Sequence, residues 1–462
     1  MWRIDTISIF VIVVVTILFI GLVKLIQKVR SPNHGIFDFK RDYDSASDNP
    51  EFEEMAGEDE STYLGKSNNN KNVWVKNNAR HVFICGTTGS GKTIALSNFI
   101  KSGSTYGYPM LLVDGKGDTD SGSVLEITKK LCKNKKLYVI NLNDPENSDK
   151  YNPFQNTNVD IIKDMLINMT NWSEEHYKYN TERYIARLCH LLELKKIDIA
   201  FDSLTEYLWT DAFVKLSLSL EKEKLITKAE HLENVELSKT SGKIAESASA
   251  RFATIRDSAL GQIFDASGID IYSALKENAV ILFVLNPLVY PEMSPLIGNL
   301  VVIDSKKAVS NFFSDKKSRI FYLLDEISSY ANVSLLDLVN KSRSANVTCV
   351  LATQSISDLD KVSSEFKEQI IENCNNYIFL RQNSPVNANY LADVLGTRET
   401  MQATYQIREE AGEAKSTELG SLRKVHEYLY HPNEIKTLKI GNAIYLSRDE
   451  MVHTKVKIFK SF

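Results

Sequence analysis

Gly86-Thr87-Thr88-Gly89-Ser90-Gly91-Lys92-Thr93 has the residue types and spacing to wrap a polyphosphate. Glycines at 86, 89 and 91 leave the backbone N–H groups bare, so phosphate oxygens can approach where side chains would stand in the way. Lys92 brings a full charge toward the β and γ oxygens, and Thr93 is placed to ligate Mg2+. A second constellation, Asp325-Glu326, closes the apolar run Ile320–Leu324. There Asp325 can hold Mg2+ through its water shell, and Glu326 can orient and polarise an attacking water. Gln354 follows another apolar run, where a neutral amide can bond a γ-phosphate and report its loss. Just before that run, Arg343 has the chemistry to stabilise charge on a transferred phosphoryl group. Each has a plainer alternative: a glycine-rich turn, a capped strand end, a turn-capping glutamine, a surface arginine paired with a carboxylate. A phosphate loop and a carboxylate pair at domain-scale separation together point to hydrolysis of a nucleotide such as ATP.

Such groups need elements to hold them. Val82–Cys85 reads as a buried strand entering the loop, and a helical pattern starts near Lys92, aiming its free N–H groups and positive dipole end at the phosphates. Pro109–Val113, Leu137–Leu142, Ala279–Leu285, Thr348–Ala352 and Tyr377–Leu380 read as further strands, with Ala443–Leu446 and Val456–Phe459 as terminal ones. The strand ending at Val113 leads into Asp114-Gly115-Lys116-Gly117-Asp118, which is either part of the ligand-binding edge of an α/β sheet or a charged surface turn. From Asp160 to about Arg256 apolar residues recur at three- and four-residue spacing, predicting an all-helical insertion. The lysines and glutamates of Leu218–Lys239 alternate, as on a solvated helix face. Leu422–Ile435 reads as a helix and turn.

The 462 residues allow two or three domains, and 43% hydrophobic with 25% charged residues fits a globular protein. A net charge of -4 excludes global basicity as a sign of nucleic acid, so any such contact must be a local patch. The five cysteines form no CxxC pair or metal-ligand cluster and read as buried apolar residues in a reducing compartment. Ile7–Val23 carries no charge and predicts a membrane anchor; Lys24, Lys28, Arg30, Lys40 and Arg41 beyond it place the rest in the cytoplasm. The expected organisation is an anchor at 1–30, a disordered acidic linker at 31–72, nucleotide-binding segments at 73–158 and 259–462, and the helical insertion at 159–258.

These stretches resemble the coupling-protein ATPases of type IV secretion systems, within the FtsK/HerA group of RecA-like motors. The resemblance is carried by Arg80–Thr93, Leu111–Asp118, Tyr151-Asn152-Pro153-Phe154, Phe321–Ile327, Ser342–Ser355 and Val425–Leu446. It implies an α/β, RecA-like P-loop NTPase core with an all-helical insertion and one N-terminal transmembrane helix. It also implies ATP and Mg2+ bound by Gly86–Thr93 and Asp325, Glu326 as base, Gln354 as γ-phosphate sensor, and Arg343 as a finger acting on a neighbouring subunit. Members of that family work as hexameric rings at the inner membrane, driving relaxase-bound single-stranded DNA, or protein effectors, toward channel components. Two departures stand out: a single predicted span where many relatives have two, and no long C-terminal tail, which moves expected cargo recruitment toward the helical insertion. Protein cargo, or a nucleotide-gated membrane scaffold or defence sensor, remain the competing readings.

Overall fold

Alternate residues of the central strands enter different hydrophobic clusters, Val82 and Ile84 on one face of the sheet, Phe83 and Cys85 on the other. Burial on both faces is why these strands read as unbroken apolar runs rather than as alternating ones. The computed structural model describes residues 60–78, 80–169, 174–314, 319–410 and 413–462. The predicted span Ile7–Val23 lies outside them; among the described residues no helix is long and apolar enough to cross a membrane.

In chain order, β1 (Ser61–Ser67), β2 (Asn72–Lys76) and β3 (His81–Cys85) lead to α1 (Lys92–Thr105), β4 (Met110–Asp114), α2 (Val124–Leu131) and β5 (Leu137–Asn141). Helices alone follow: α3 (Val159–Asn168), α4 (Glu175–Lys195), α5 (Phe201–Tyr207), α6 (Thr210–Lys222) and α7 (Lys228–Arg256), then α8 (Ile271–Lys276). The sheet resumes with β6 (Val280–Val284), α9 (Met293–Phe312), β7 (Ile320–Asp325), α10 (Val333–Ser342), β8 (Val347–Thr353), α11 (Ser364–Asn373), β9 (Cys374–Phe379) and α12 (Pro385–Leu395). A hairpin of β10 (Thr397–Glu410) and β11 (Glu413–Tyr428), then α13 (Pro432–Thr437), β12 (Asn442–Ser447) and β13 (Val452–Ile458), complete the described chain.

The main sheet has the order β2-β1-β13-β12-β9-β3-β8-β7-β4-β6-β5. Its seven strands from β9 to β5 are parallel, and the four before them pair antiparallel. The carboxyl ends of β3, β8 and β7 therefore open side by side on one edge, which is where a parallel α/β sheet binds its ligands.

Two expectations are corrected. The linker predicted through 72 is ordered from Ser61, because β1 and β2 form a hairpin that extends the sheet through β13. Its polar composition hides Leu64, Val73 and Val75, all buried, and Gly65, where a Cβ would lie 2.0 Å from the Lys457 carbonyl oxygen. Likewise the helix expected from Leu422 is the end of β11, and helix begins only at Pro432; β10 and β11 pair with each other alone, and none of residues 397–404 and 420–428 is buried, so no apolar period marks them.

The helical segment is tied to the sheet by the Tyr151–Phe154 turn. Asn152 Nδ2 donates to the Ile199 carbonyl at 3.2 Å, and Phe154 packs on Phe201. Tyr151 Oη donates to Asp304 Oδ2 on α9 at 3.0 Å, while the buried Asp304–Lys307 pair closes at 2.8 Å. Lys307 Nζ also donates to Pro153 O, 3.0 Å away, so one ammonium group joins turn and helix. Both partners of this buried ion pair have further hydrogen bonds, without which burying the charges would be costly.

Candidate active site

The phosphate loop leaves β3 and enters α1 through two left-handed positions, Gly89 at φ 73° and Gly91 at φ 116°. A Cβ on Gly86 would sit 2.6 Å from Leu380 Cβ, so that glycine is needed for a second reason, the close approach of the strand end beyond β9. Lys92, first in α1, donates to the Gly86 carbonyl at 2.7 Å, folding its charge over the loop. Burial lowers its pKa, opposed by Asp325 and then Glu326. Thr93 stands in the first turn of the same helix. Thr87 and Ser90 close the loop upon itself, Ser90 Oγ donating to Thr87 O at 2.6 Å. Remote chain supports it from outside: Thr87 N–H donates to Arg381 O at 3.0 Å, and Gly441 N–H to Ser90 O at 2.9 Å.

Asp325 ends β7 and is buried. Burial, then the neighbouring Asp114 and Glu326, push its carboxyl up to about 7. Asp114, its register partner at the end of β4, is pushed up to about 6 by burial, against the bonds it accepts from Gly117 and Lys116 N–H. Glu326 adopts the left-handed conformation, φ 48° and ψ 51°, which costs a residue with a Cβ about 1–3 kcal/mol. Its N–H donates to Asp325 Oδ1 at 3.0 Å, and Ser328 Oγ donates to Glu326 Oε1 at 2.7 Å. The strained corner is thus held by one bond to each of the two carboxylates.

Gln354, just past β8, receives a bond of 2.8 Å from Thr88 Oγ1, joining the amide to the phosphate loop. Sequence reasoning missed what holds it. Buried Gln382 donates from Nε2 to Gln354 O at 3.1 Å, and Asn387 Nδ2 donates to Ser355 Oγ at 2.7 Å. The available signal was the polar run Arg381–Ser384 directly after an apolar strand; nothing in it points to Gln354.

Lys92, Thr93, Asp325, Glu326 and Gln354 are thus carried by neighbouring strand ends on one edge. Arg343 is not among them. It is exposed in the turn between α10 and β8, near His81 at the start of β3. The length of β3, about 13 Å at ~3.3 Å per residue, separates that end from the phosphate loop.

His81 is buried beside this turn, with Nδ1 accepting from Cys349 N–H at 3.1 Å and Nε2 donating to Val339 O at 2.9 Å. Burial lowers its pKa to about 4, opposed by the Val339 bond and aided by the Arg343 charge. A histidine held neutral below its ordinary 6.5 contributes stability that is complete above that value and is lost as pH falls toward 4. Relative to His81→Gln, the wild type is expected to lose about 3 kcal/mol over that window in urea unfolding. A pH-independent difference between the two would show that His81 is not held neutral.

The donor set fits the expected ligands. Thr93 and Asp325 offer hard oxygens of the kind Mg2+ takes, and the Gly89 backbone has no neighbour within 4 Å of a would-be Cβ, leaving the loop open. The model of the family described as "Type IV secretion-system coupling protein DNA-binding domain" matches residues 72–459. The chain belongs to this family. Among solved structures, this coupling-protein chain is similar to the bacterial conjugative coupling protein TrwBdeltaN70 in an unbound form, at 16% identity and TM-score 0.60, over 88% of this chain and 90% of that one. It is similar to the plasmid coupling protein TrwB in complex with ADP and Mg2+, at 16% identity and TM-score 0.57, over 84% and 86%. VirB4 of Thermoanaerobacter pseudethanolicus matches at 11% identity and TM-score 0.55, over 87% and 97%. At these identities what is shared is the fold, an α/β nucleotide-binding architecture with a large mixed sheet. No curated protein matches the sequence.

Proposed function

We propose that this coupling protein is a membrane-anchored ATPase that works as a ring of six copies and drives relaxase-bound single-stranded DNA toward a type IV secretion channel.

 The observation that carries it is the convergence of Lys92, Thr93, Asp325, Glu326 and Gln354 on one sheet edge, with Arg343 at the other end of β3. TrwB, the similar coupling protein, has been solved with ADP and Mg2+ and with analogues of GTP and ATP, which supports the nucleotide reading. The Ile7–Val23 run is the support for the anchor and for placing the motor on the cytoplasmic side.

In this reading the loop N–H groups and Lys92 bind the phosphates, Lys92 leaving the Gly86 carbonyl to do so. Thr93 and Asp325 would hold Mg2+, which when bound would supply charge neutralisation for the phosphates. Glu326 accepts the proton of the attacking water and holds that water in line. Gln354 bonds the γ-phosphate and passes its loss to Thr88 on one side and to the Gln382–Asn387 contacts on the other. Arg343 completes the site of the next copy, so turnover requires neighbours.

The DNA reading is tested with the full-length protein in detergent. Single-stranded DNA is expected to stimulate ATP hydrolysis, and the apparent DNA affinity should fall steeply with salt, as contacts to several phosphates require. DNA-independent turnover, raised instead by an effector protein, would favour protein cargo, a reading that the net charge of -4 leaves open because it does not favour DNA.

A further inference from the structure

The turn after β4 contains a buried carboxylate that the roles above leave unused. Asp114 is 1% exposed, and its register partner across the parallel strands is Asp325. Adjacent strands lie about 4.8 Å apart, so the two acids leave the sheet side by side. Asp114 Oδ1 accepts from Lys116 N–H at 3.0 Å and from Gly117 N–H at 3.1 Å, which orients the carboxylate. Its Oδ2 is buried and has no hydrogen-bond partner among the described residues. Lys116, the cation on the same turn, is paired with Asp118.

The two glycines of this turn explain how the carboxylate is brought there. Gly115 N–H donates to Asp325 O at 3.2 Å, and a Cβ at that position would meet Ser329 Oγ at 2.5 Å and Glu326 O at 2.8 Å. Gly117 has φ +74°, and a Cβ there would lie 1.7 Å from Leu285 O. Both positions exclude any larger residue; Gly115 presses the turn against the Asp325-Glu326 corner, and Gly117 presses it against Leu285. A turn cap alone requires only Oδ1. A buried oxygen left without a donor is costly unless a ligand satisfies it.

We propose that Asp114 is a further cation-binding carboxylate of this site, accepting hydrogen bonds from the water shell of the divalent metal beside Asp325. The assignment rests on the ATPase reading and extends it. Mg2+ gives up its waters reluctantly and is held through them, so an acceptor one water away from the ion is the geometry that such a carboxylate serves. Two neighbouring carboxylates without that cation repel each other, and removing one charge relieves the pair.

The test uses the full-length protein, a fluorescent ADP analogue and titrated Mg2+, with melting followed in EDTA. Asp114→Asn keeps the Oδ1 acceptor of the turn and removes the charge. It is expected to leave binding in EDTA unchanged, to raise the half-saturating Mg2+ concentration about 10-fold or more, and to melt no lower than wild type. Asp114→Ser, which also retains a capping oxygen, carries the same expectation should the Asn variant fail to fold. Asp118→Asn makes the same charge change on the exposed flank of the turn and should respond as wild type does. An unchanged Mg2+ requirement in Asp114→Asn, or an equal shift in Asp118→Asn, overturns the assignment and leaves the ATPase reading standing. A wild type whose nucleotide binding ignores Mg2+ overturns both.

Discussion

Glu326→Gln is expected to lower ATP turnover by about 10²–10⁴ while nucleotide stays bound, because the amide keeps the shape of the side chain and loses the base. The Oε1 that accepts from Ser328 is retained, so the left-handed corner at 326 should persist. Lys92→Ala acts earlier, removing the charge that faces the β and γ oxygens, and should weaken nucleotide binding itself. Phosphate release and equilibrium nucleotide binding, measured on the two variants together, separate the motor from a nucleotide-gated scaffold. A scaffold needs occupancy but not hydrolysis, so Glu326→Gln would then preserve function that Lys92→Ala destroys. Equal loss of function from both removes the scaffold reading.

Arg343→Ala is expected to lower turnover by about 10³–10⁵, the range for fingers in other NTPases, without changing nucleotide affinity of the isolated chain. Arg343 and the phosphate loop lie at opposite ends of β3, so one copy does not bring them together. That separation permits a complementation test. Protomers carrying Arg343→Ala retain Glu326, and protomers carrying Glu326→Gln retain Arg343. Mixing two inactive proteins should restore part of the activity wherever the first supplies the phosphate loop and the second the guanidinium. No recovery on mixing, with full activity in a dilute monomer, would rule out a shared site.

The parts of the site that were legible in the sequence are those whose chemistry is contiguous. Gly86–Thr93 stands out as a candidate phosphate loop because eight consecutive residues carry the whole pattern, and Asp325-Glu326 stands out because a carboxylate pair ends an apolar run. Burial on both faces made β3, β4, β6 and β7 readable, and one-sided packing gave the helices between Val159 and Arg256 their spacing. What failed to show was whatever depends on contact between distant segments. Gln382 steadies Gln354 from another strand end, and Gly441 reaches Ser90 from near the end of the chain. Asp114 was visible only as a polar residue at a strand end; its unpartnered oxygen exists because β4 and β7 are neighbours. Polar composition concealed β1, and the lack of buried residues at 397–404 and 420–428 concealed β10 and β11.

The bond from Gly441 to Ser90 also bears on how the protein is made. Ile458 N–H donates to Gly441 O at 2.8 Å, so the phosphate loop leans on a segment that is itself held by the final strand. The roughly 350 residues between Ser90 and Gly441 take about 20–70 s to leave a ribosome. During that interval the nascent chain carries a nucleotide loop without its outer brace, and truncation before β12 makes that condition permanent. Completion of synthesis, rather than emergence of the motif, is therefore the step that gives each copy its finished grip on phosphate.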